Sequence, residues 1–326
     1  MRPKISVIAP IYNAEKYILR FLRSVQNQHF KSIEIILVDD CSKDNSTGVI
    51  EKYQKEDERI ILLKHKKNRG TFVSRNEGAL YSKGEFLIFA DPDDILISDI
   101  LKYSFKVAKR GNYDIVRFNG YKNGKIIMYI LLKKLKKNPI YQPELSLFTY
   151  YGLDGLGKFH QNDYFIWNKL IKRNIFILTL NSINKYYLNK YIIDCEDGLM
   201  NFILNRKAKS MYYIKYSGYY YIKNNKSITK QSNENLIRRL SSNFLYFRFV
   251  FQYSKNNYIE KKIADKIFLK IYFYIYNKKM IEFLKLKYVT NKLYGDVINM
   301  YLHSKFISLK TKKIMKFLKF SLTQVK

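Results

Sequence analysis

Hydrophobic and polar positions in the first 120 residues switch between two periods. Residues 4–9 (Lys-Ile-Ser-Val-Ile-Ala) read as a strand buried on both faces. Residues 14–28 then carry apolar side chains at Tyr17, Ile18, Phe21, Leu22 and Val25, which is helical spacing. The alternation continues with strands at 33–38, 60–63, 86–90 and 114–118. Helices are expected from the turn at 42–46 to about Glu56, from Asn68-Arg69-Gly70-Thr71 to about Ser82, and from Ile95 to about Lys109. Strands alternating with helices predict an α/β fold, a parallel sheet with helices on both faces.

The pattern weakens after about residue 120. Phe165-Ile166-Trp167-Asn168-Lys169-Leu170 begins a short amphipathic segment, and Ile193-Asp194-Cys195-Glu196-Asp197 leads into a helix to about Leu204. Tyr212–Tyr216 and Tyr219–Lys223 read as a hairpin across Ser217-Gly218. From about 234 the chain has helical spacing to its end, as at Leu236, Leu240, Phe244, Phe247 and Phe251. These shifts suggest a first domain over 1–232, divided near 120, and a basic aromatic helical region over 233–326.

Charge changes the picture. Net charge is +33, and residues 201–326 hold 27 Lys and Arg against 5 Asp and Glu. Such a surface attracts polyanions: nucleic acid, anionic lipid or anionic glycan. No nucleic-acid-binding signature accompanies it, so an anionic membrane surface is the expected partner. Two cysteines, Cys41 and Cys195, provide neither a disulfide framework nor zinc spacing. With no secretory h-region and no apolar span, the expected location is cytoplasmic, peripheral on the inner face of the membrane.

The chemistry concentrates at Asp91-Pro92-Asp93-Asp94, directly after the apolar run Phe86–Ala90. Three carboxylates so close repel unless a cation sits among them. Hard divalent ions, Mg²⁺ or Mn²⁺, take such oxygens together with substrate phosphates. Ligands of open α/β sheets bind at the carboxyl ends of strands, which is where this cluster lies.

Several further segments carry a family resemblance. Pro10-Ile11-Tyr12-Asn13 resembles an opening Pro-x-Tyr-Asn. Val38-Asp39-Asp40-Cys41-Ser42-Lys43-Asp44-Asn45-Ser46 resembles a Val-Asp-Asp-Gly-Ser-x-Asp-x-Ser block, with Cys41 in place of Gly. Asn68-Arg69-Gly70 with Arg75-Asn76 and Gly78, and then Asp91-Pro92-Asp93-Asp94, complete the first half. Trp167-Asn168-Lys169-Leu170 and Glu196-Asp197 resemble acceptor-side motifs. In this order the motifs resemble the inverting family 2 glycosyltransferases of GT-A fold, of the bacterial surface-glycan type.

The resemblance implies a nucleotide-diphospho-sugar transferase fold, a Rossmann-like mostly parallel sheet with a helical C-terminal extension. It implies a nucleotide-sugar donor, most simply a UDP-sugar, and a glycan or lipid-linked glycan acceptor. Asp39 is assigned the uracil N–H; the alternative is a helix cap. Pro10, Tyr12, Asn13, Asp40, Arg75, Asn76 and Lys223 are further donor-side candidates. Arg75 is read either as a diphosphate contact or as a surface charge. Asp91 and Asp93 are the metal candidates, Asp91 also serving the ribose. Asp94, Trp167, Asn168 and Lys169 fall on the acceptor side; Trp167 is read equally as a sugar platform or a core residue. Inverting transfer needs one base, and the resemblance assigns it to Asp197, with Glu196 second. The alternatives are a sugar nucleotidyltransferase and a polyanion-binding protein. The histidines His29, His65, His160 and His303 show no ligand spacing and receive no role.

Overall fold

The computed structural model describes residues 2–122, 125–127, 138–141, 165–192, 196–222 and part of 242–253. Most of the expected C-terminal helical pattern, and Lys223, lie outside the described residues. The chain divides into two compact units, Met1–Ile192 with Met200–Ser227, and Ile193–Leu199 with Ile228–Lys326. Among the described residues no helix is long and apolar enough to cross a membrane.

The first unit is built on a mixed sheet. Its strands are β1 (Ile5–Ile11), β2 (Ile33–Asp39), β3 (Ile60–Lys64), β4 (Phe86–Phe89), β5 (Ile95–Leu96), β6 (Ile115–Lys122), β7 (Lys125–Ile127), β8 (Ile140–Tyr141), β9 (Lys169–Lys172) and β10 (Ser210–Tyr221). They run in the order β3-β2-β1-β4-β9-β6-β10-β5, with β7 beside β6 and β8 beside β10. β1 is parallel to β2 and to β4, with Ile5 opposite Ile33 and Phe86. Every residue of β1, β2 and β4 is buried. That follows from strands covered on both faces, which read as near-continuous apolar runs.

The helices among the described residues are α1 (Glu15–Gln26), α2 (Ser46–Glu56), α3 (Thr71–Tyr81), α4 (Ile100–Gly111), α5 (Arg173–Ser182), α6 (Lys185–Leu188) and α7 (Glu196–Lys207). α1 buries Ile18, Phe21, Leu22 and Val25, four of the five positions its spacing singled out. α3 lies unusually close to the sheet. A Cβ at Gly78 would stand 2.6 Å from Ile8 Cγ2 and 3.3 Å from Val38 Cγ2, so only glycine lets the helix approach so near.

Two local expectations are corrected, and one open segment takes a definite form. The helix expected from Ile95 begins instead at Ile100, because Ile95 and Leu96 pair antiparallel with Tyr220 and Tyr219. The expected hairpin at 212–223 is one strand, β10, parallel to β6 with register shifts between Tyr213 and Tyr219. Ser217-Gly218 forms that irregularity rather than a turn. Gly218 packs on Ile100, which would sit 2.1 Å from an added Cβ. The segment after Trp167 becomes β9, antiparallel to both β4 and β6 and inserted between them. In each case the partner is remote in sequence, where local period carries no information.

Candidate active site

The carboxyl ends of β1 and β2 carry two loops zipped together by side chains. Asn13 N donates to Ser42 Oγ (3.0 Å), Ala14 N to Ser46 Oγ (2.7 Å) and Glu15 N to Asp44 Oδ2 (3.0 Å). In return Lys43 N donates to Asn13 Oδ1 (2.8 Å). The Ser-x-Asp-x-Ser spacing is therefore what aligns the start of α1 with the start of α2. Cys41 has φ 64°, the left-handed region. Glycine occupies that region without strain, and a side chain there costs roughly 1–2 kcal/mol. This explains the glycine of the block that Cys41 departs from.

Asp39 and Asp40, adjacent in sequence, stand in different surroundings. Asp40 is 3 % exposed and both its oxygens are engaged. Oδ1 accepts from Arg69 N (2.7 Å) and lies 2.7 Å from His65 Nδ1, while Oδ2 accepts from Gly70 N (2.7 Å). Asp40 thus holds the turn that leads into α3. Asp39 is 5 % exposed; its Oδ2 accepts from Ser42 N at 3.3 Å, and its Oδ1 is buried with no hydrogen-bond partner. An orphaned buried carboxylate oxygen is costly unless a ligand donor satisfies it.

α3 supplies the next side. Arg75 is buried, and its Nη2 donates to Asp91 Oδ1 at 2.7 Å, so it is not a surface charge. Asn76 is 6 % exposed with neither amide atom hydrogen-bonded, and buried Asn68 Oδ1 is likewise unpartnered. Tyr12 is exposed beyond the end of β1, whereas Pro10 is buried within it.

The acidic loop is pinned from below. Asp91 N donates to Tyr219 Oη (2.9 Å), and that hydroxyl donates to Asp94 Oδ2 (2.8 Å). Ile222 N donates to Asp94 Oδ1 (2.8 Å), and Arg20 Nη2 donates to the Asp93 carbonyl (2.7 Å). Burial, with the charges of Asp91 and Asp93, pushes the Asp94 carboxyl up to about 8. Burial, together with Asp94 and Asp91, pushes the Tyr219 phenol well above its usual range. Trp167 stacks on Tyr219 (centroids 4.3 Å apart) and on Phe165 (5.0 Å), and only 2 % of it is exposed. Its place is the core, and the sugar-platform reading is corrected: no ring face remains open. Asn168 and Lys169 are buried too, with Lys169 Nζ on the Phe165 carbonyl and on Asn168 Oδ1 (2.9 Å).

Residues 6–177 match the family profile of glycosyl transferase family 2. The chain belongs to that family. A Campylobacter jejuni relative named GalNAc(5)-diNAcBac-PP-undecaprenol beta-1,3-glucosyltransferase is 38 % identical to the family 2 chain over 110 residues. That match covers 33 % of this chain and 36 % of the relative. The family 2 chain spans about two fifths or less of the length of the curated relatives it first matches. The crystal structure of S. aureus TarS 1–349 in complex with UDP-GlcNAc superposes with a TM-score of 0.68 at 19 % identity, covering 99 % of this chain and 89 % of that one. The mannosyltransferase PcManGT from Pyrobaculum calidifontis, in complex with GDP-Man and Mn²⁺, gives 0.53 at 13 % identity, covering 100 % and 86 %. The fold of the family 2 chain is thereby GT-A.

Among the described residues of the family 2 chain, no three His, Cys, Asp or Glu side chains converge to hold a metal. Asp91 and Asp93 nonetheless fit a hard divalent ion. They supply oxygen donors on a strand-end loop, Asp91 keeps 27 % of its side chain exposed, and the like charge they impose on Asp94 is what a cation relieves. One or two carboxylates completed by substrate phosphates is the ordinary Mg²⁺ arrangement. Glu196 and Asp197 open α7, both partly buried, in the first turn where acids complement the helix dipole. They belong to the second compact unit. Tyr219 was not singled out by sequence, since one tyrosine in Tyr219-Tyr220-Tyr221 looks like the next; only its burial under two aspartates distinguishes it.

Proposed function

We propose that the protein transfers a sugar from a nucleotide-sugar donor, a UDP-sugar, to a cell-envelope glycan or lipid-linked acceptor, with inversion at the anomeric carbon. The observation that carries this is the orphaned Asp39 Oδ1, a buried acceptor at the same sheet end as the acidic loop after β4, two strands away. Asp39 accepts from the base N–H. Arg75 and Asn76 serve the diphosphate side. Asp91 and Asp93 would hold Mg²⁺ or Mn²⁺, which as a Lewis acid neutralises charge on the departing diphosphate. Asp197, or Glu196 in its place, takes the proton of the acceptor hydroxyl as that oxygen attacks the anomeric carbon. The new glycosidic C–O bond forms as the sugar–phosphate C–O bond breaks, and nucleoside diphosphate leaves. The UDP-GlcNAc bound by TarS, the Mn²⁺ bound by PcManGT and the undecaprenol-linked acceptor in the C. jejuni relative's name support this reading.

The test is turnover of a panel of sugar nucleotides with an envelope glycan extract. Release of nucleoside diphosphate upholds transfer; release of pyrophosphate points to nucleotidyl synthesis instead. Asp39→Ala is expected to weaken UDP binding about 10- to 100-fold, the scale of one charged hydrogen bond. Unaltered UDP affinity would remove the base contact from Asp39.

The basic tail is assigned to an anionic membrane surface, where each Lys or Arg adds roughly 1 kcal/mol. The full chain is expected to co-sediment with phosphatidylserine vesicles at low salt and to release as salt rises. Equal binding to neutral vesicles would dismiss the electrostatic anchor.

A further inference from the structure

His65 has no role in the reading above, yet it sits at a junction. It follows β3 directly, and its side chain is 6 % exposed. Its backbone N donates to the Asp39 carbonyl at 2.8 Å. Its ring lies between two carboxylates, with Nδ1 2.7 Å from Asp40 Oδ1 and Nε2 2.5 Å from Glu77 Oε2. Asp40 already accepts two backbone N–H groups, and Glu77 already pairs with the Arg69 guanidinium. Ionised carboxylates only accept, so both contacts are hydrogen bonds together only when both ring nitrogens donate.

The result is a continuous chain of side chains, Arg69, Glu77, His65, Asp40. It adds a side-chain link between three pieces that also meet through Asp40 and through Gly78: the end of β2, the turn 65–70 and the second turn of α3. Only His65 and Asp40 are buried, while Glu77 and Arg69 are about a third exposed, and pairs of either kind contribute little net stability, the exposed ones through screening and the buried ones through desolvation. What such a bridge supplies is a fixed geometry. The same turn and helix carry Asn68, Arg75 and Asn76, and Asn76 is the neighbour of Glu77 in the chain.

We propose that His65 is a positioning residue for the donor site: it clamps α3 to the end of β2 and so sets where Arg75 and Asn76 stand for the diphosphate. The role assigned to Arg75 and Asn76 rests on the donor site described under Proposed function; the clamp itself rests on the geometry alone. Asp40 orients the turn, and His65 transmits that orientation to the helix. Without the imidazole, Asp40 keeps the Arg69 and Gly70 amides, but Glu77 loses its tie to β2.

The test uses the full chain with His65→Gln, Glu77→Gln and the double variant. A glutamine at 65 reaches one carboxylate at most. UDP with Mn²⁺ is the binding probe, and amide hydrogen exchange over 65–77 is the second readout. Each single variant is expected to raise the donor KM and the UDP Kd by roughly ten-fold or more, with kcat at saturating donor falling by less. The double variant is expected to be no worse than the worse single one, because both remove one bridge. Exchange at 65–77 should quicken in each. Unmoved UDP affinity, or a loss in kcat with donor KM unmoved, overturns the clamp. Should the wild-type protein bind no UDP, the donor reading fails instead. The clamp is then judged by exchange: faster exchange confined to 65–77 upholds it, and wild-type exchange overturns it. Should His65→Gln not fold, Glu77→Gln decides by the same readouts, since its side chain is 36 % exposed and the other Asp40 contacts remain.

Discussion

Asp197→Asn is expected to lower turnover on the order of 10²–10⁴-fold, the usual contribution of a general base. Asparagine matches aspartate in shape but cannot take the acceptor's proton. Donor affinity should change little, because Asp197 acts on the acceptor hydroxyl. Stability is the control. As an acid in the first turn of α7, Asp197 adds about 0.3–1 kcal/mol through the helix dipole. A residue that only complements the dipole would show that small stability loss with turnover intact. Wild-type turnover in Asp197→Asn, with the same variant at Glu196 inactive, would move the base by one residue.

Asp93→Ala should abolish metal-dependent nucleotide binding and cut transfer on the order of 10³-fold, several kcal/mol of lost charge neutralisation. The loop should survive the change. Its anchors are the backbone amide of Asp91 on Tyr219, the backbone carbonyl of Asp93 under Arg20, and the Asp94 carboxyl on Ile222 N. None of these uses the Asp93 side chain. Removing Asp93 also withdraws one of the charges that raise Asp94, so its carboxyl should titrate below about 8 in the variant. Isothermal titration with UDP, with and without Mn²⁺, measures the first effect. Full wild-type activity in excess chelator would sink the metal assignment altogether.

Much of the first unit was legible from local pattern. The strands at 5–11, 33–39, 60–64 and 86–89, and the three helices between them, follow from apolar runs and 3.6-residue spacing, which are properties of neighbouring residues. Motif order was equally readable, and with it the family, because each motif is a short run of neighbouring residues. What each motif residue does was less so. Only the resemblance set Asp39 apart from Asp40 in sequence; in the fold one keeps a buried unpartnered oxygen and the other is engaged by Arg69, Gly70 and His65. Trp167 could not be assigned between sugar and core until Tyr219, 52 positions later, came to lie against it. The single long β10, the antiparallel β9 within a mostly parallel sheet, and the bridge from His65 to Glu77 depend likewise on partners brought together by the assembled sheet. The sequence by itself determined the strand and helix alternation over residues 5–89 and where carboxylates gather at strand ends. Only the tertiary structure decided which of those carboxylates keep an unpartnered oxygen and which are consumed as struts, because hydrogen-bond satisfaction in a buried site is settled by every neighbour at once.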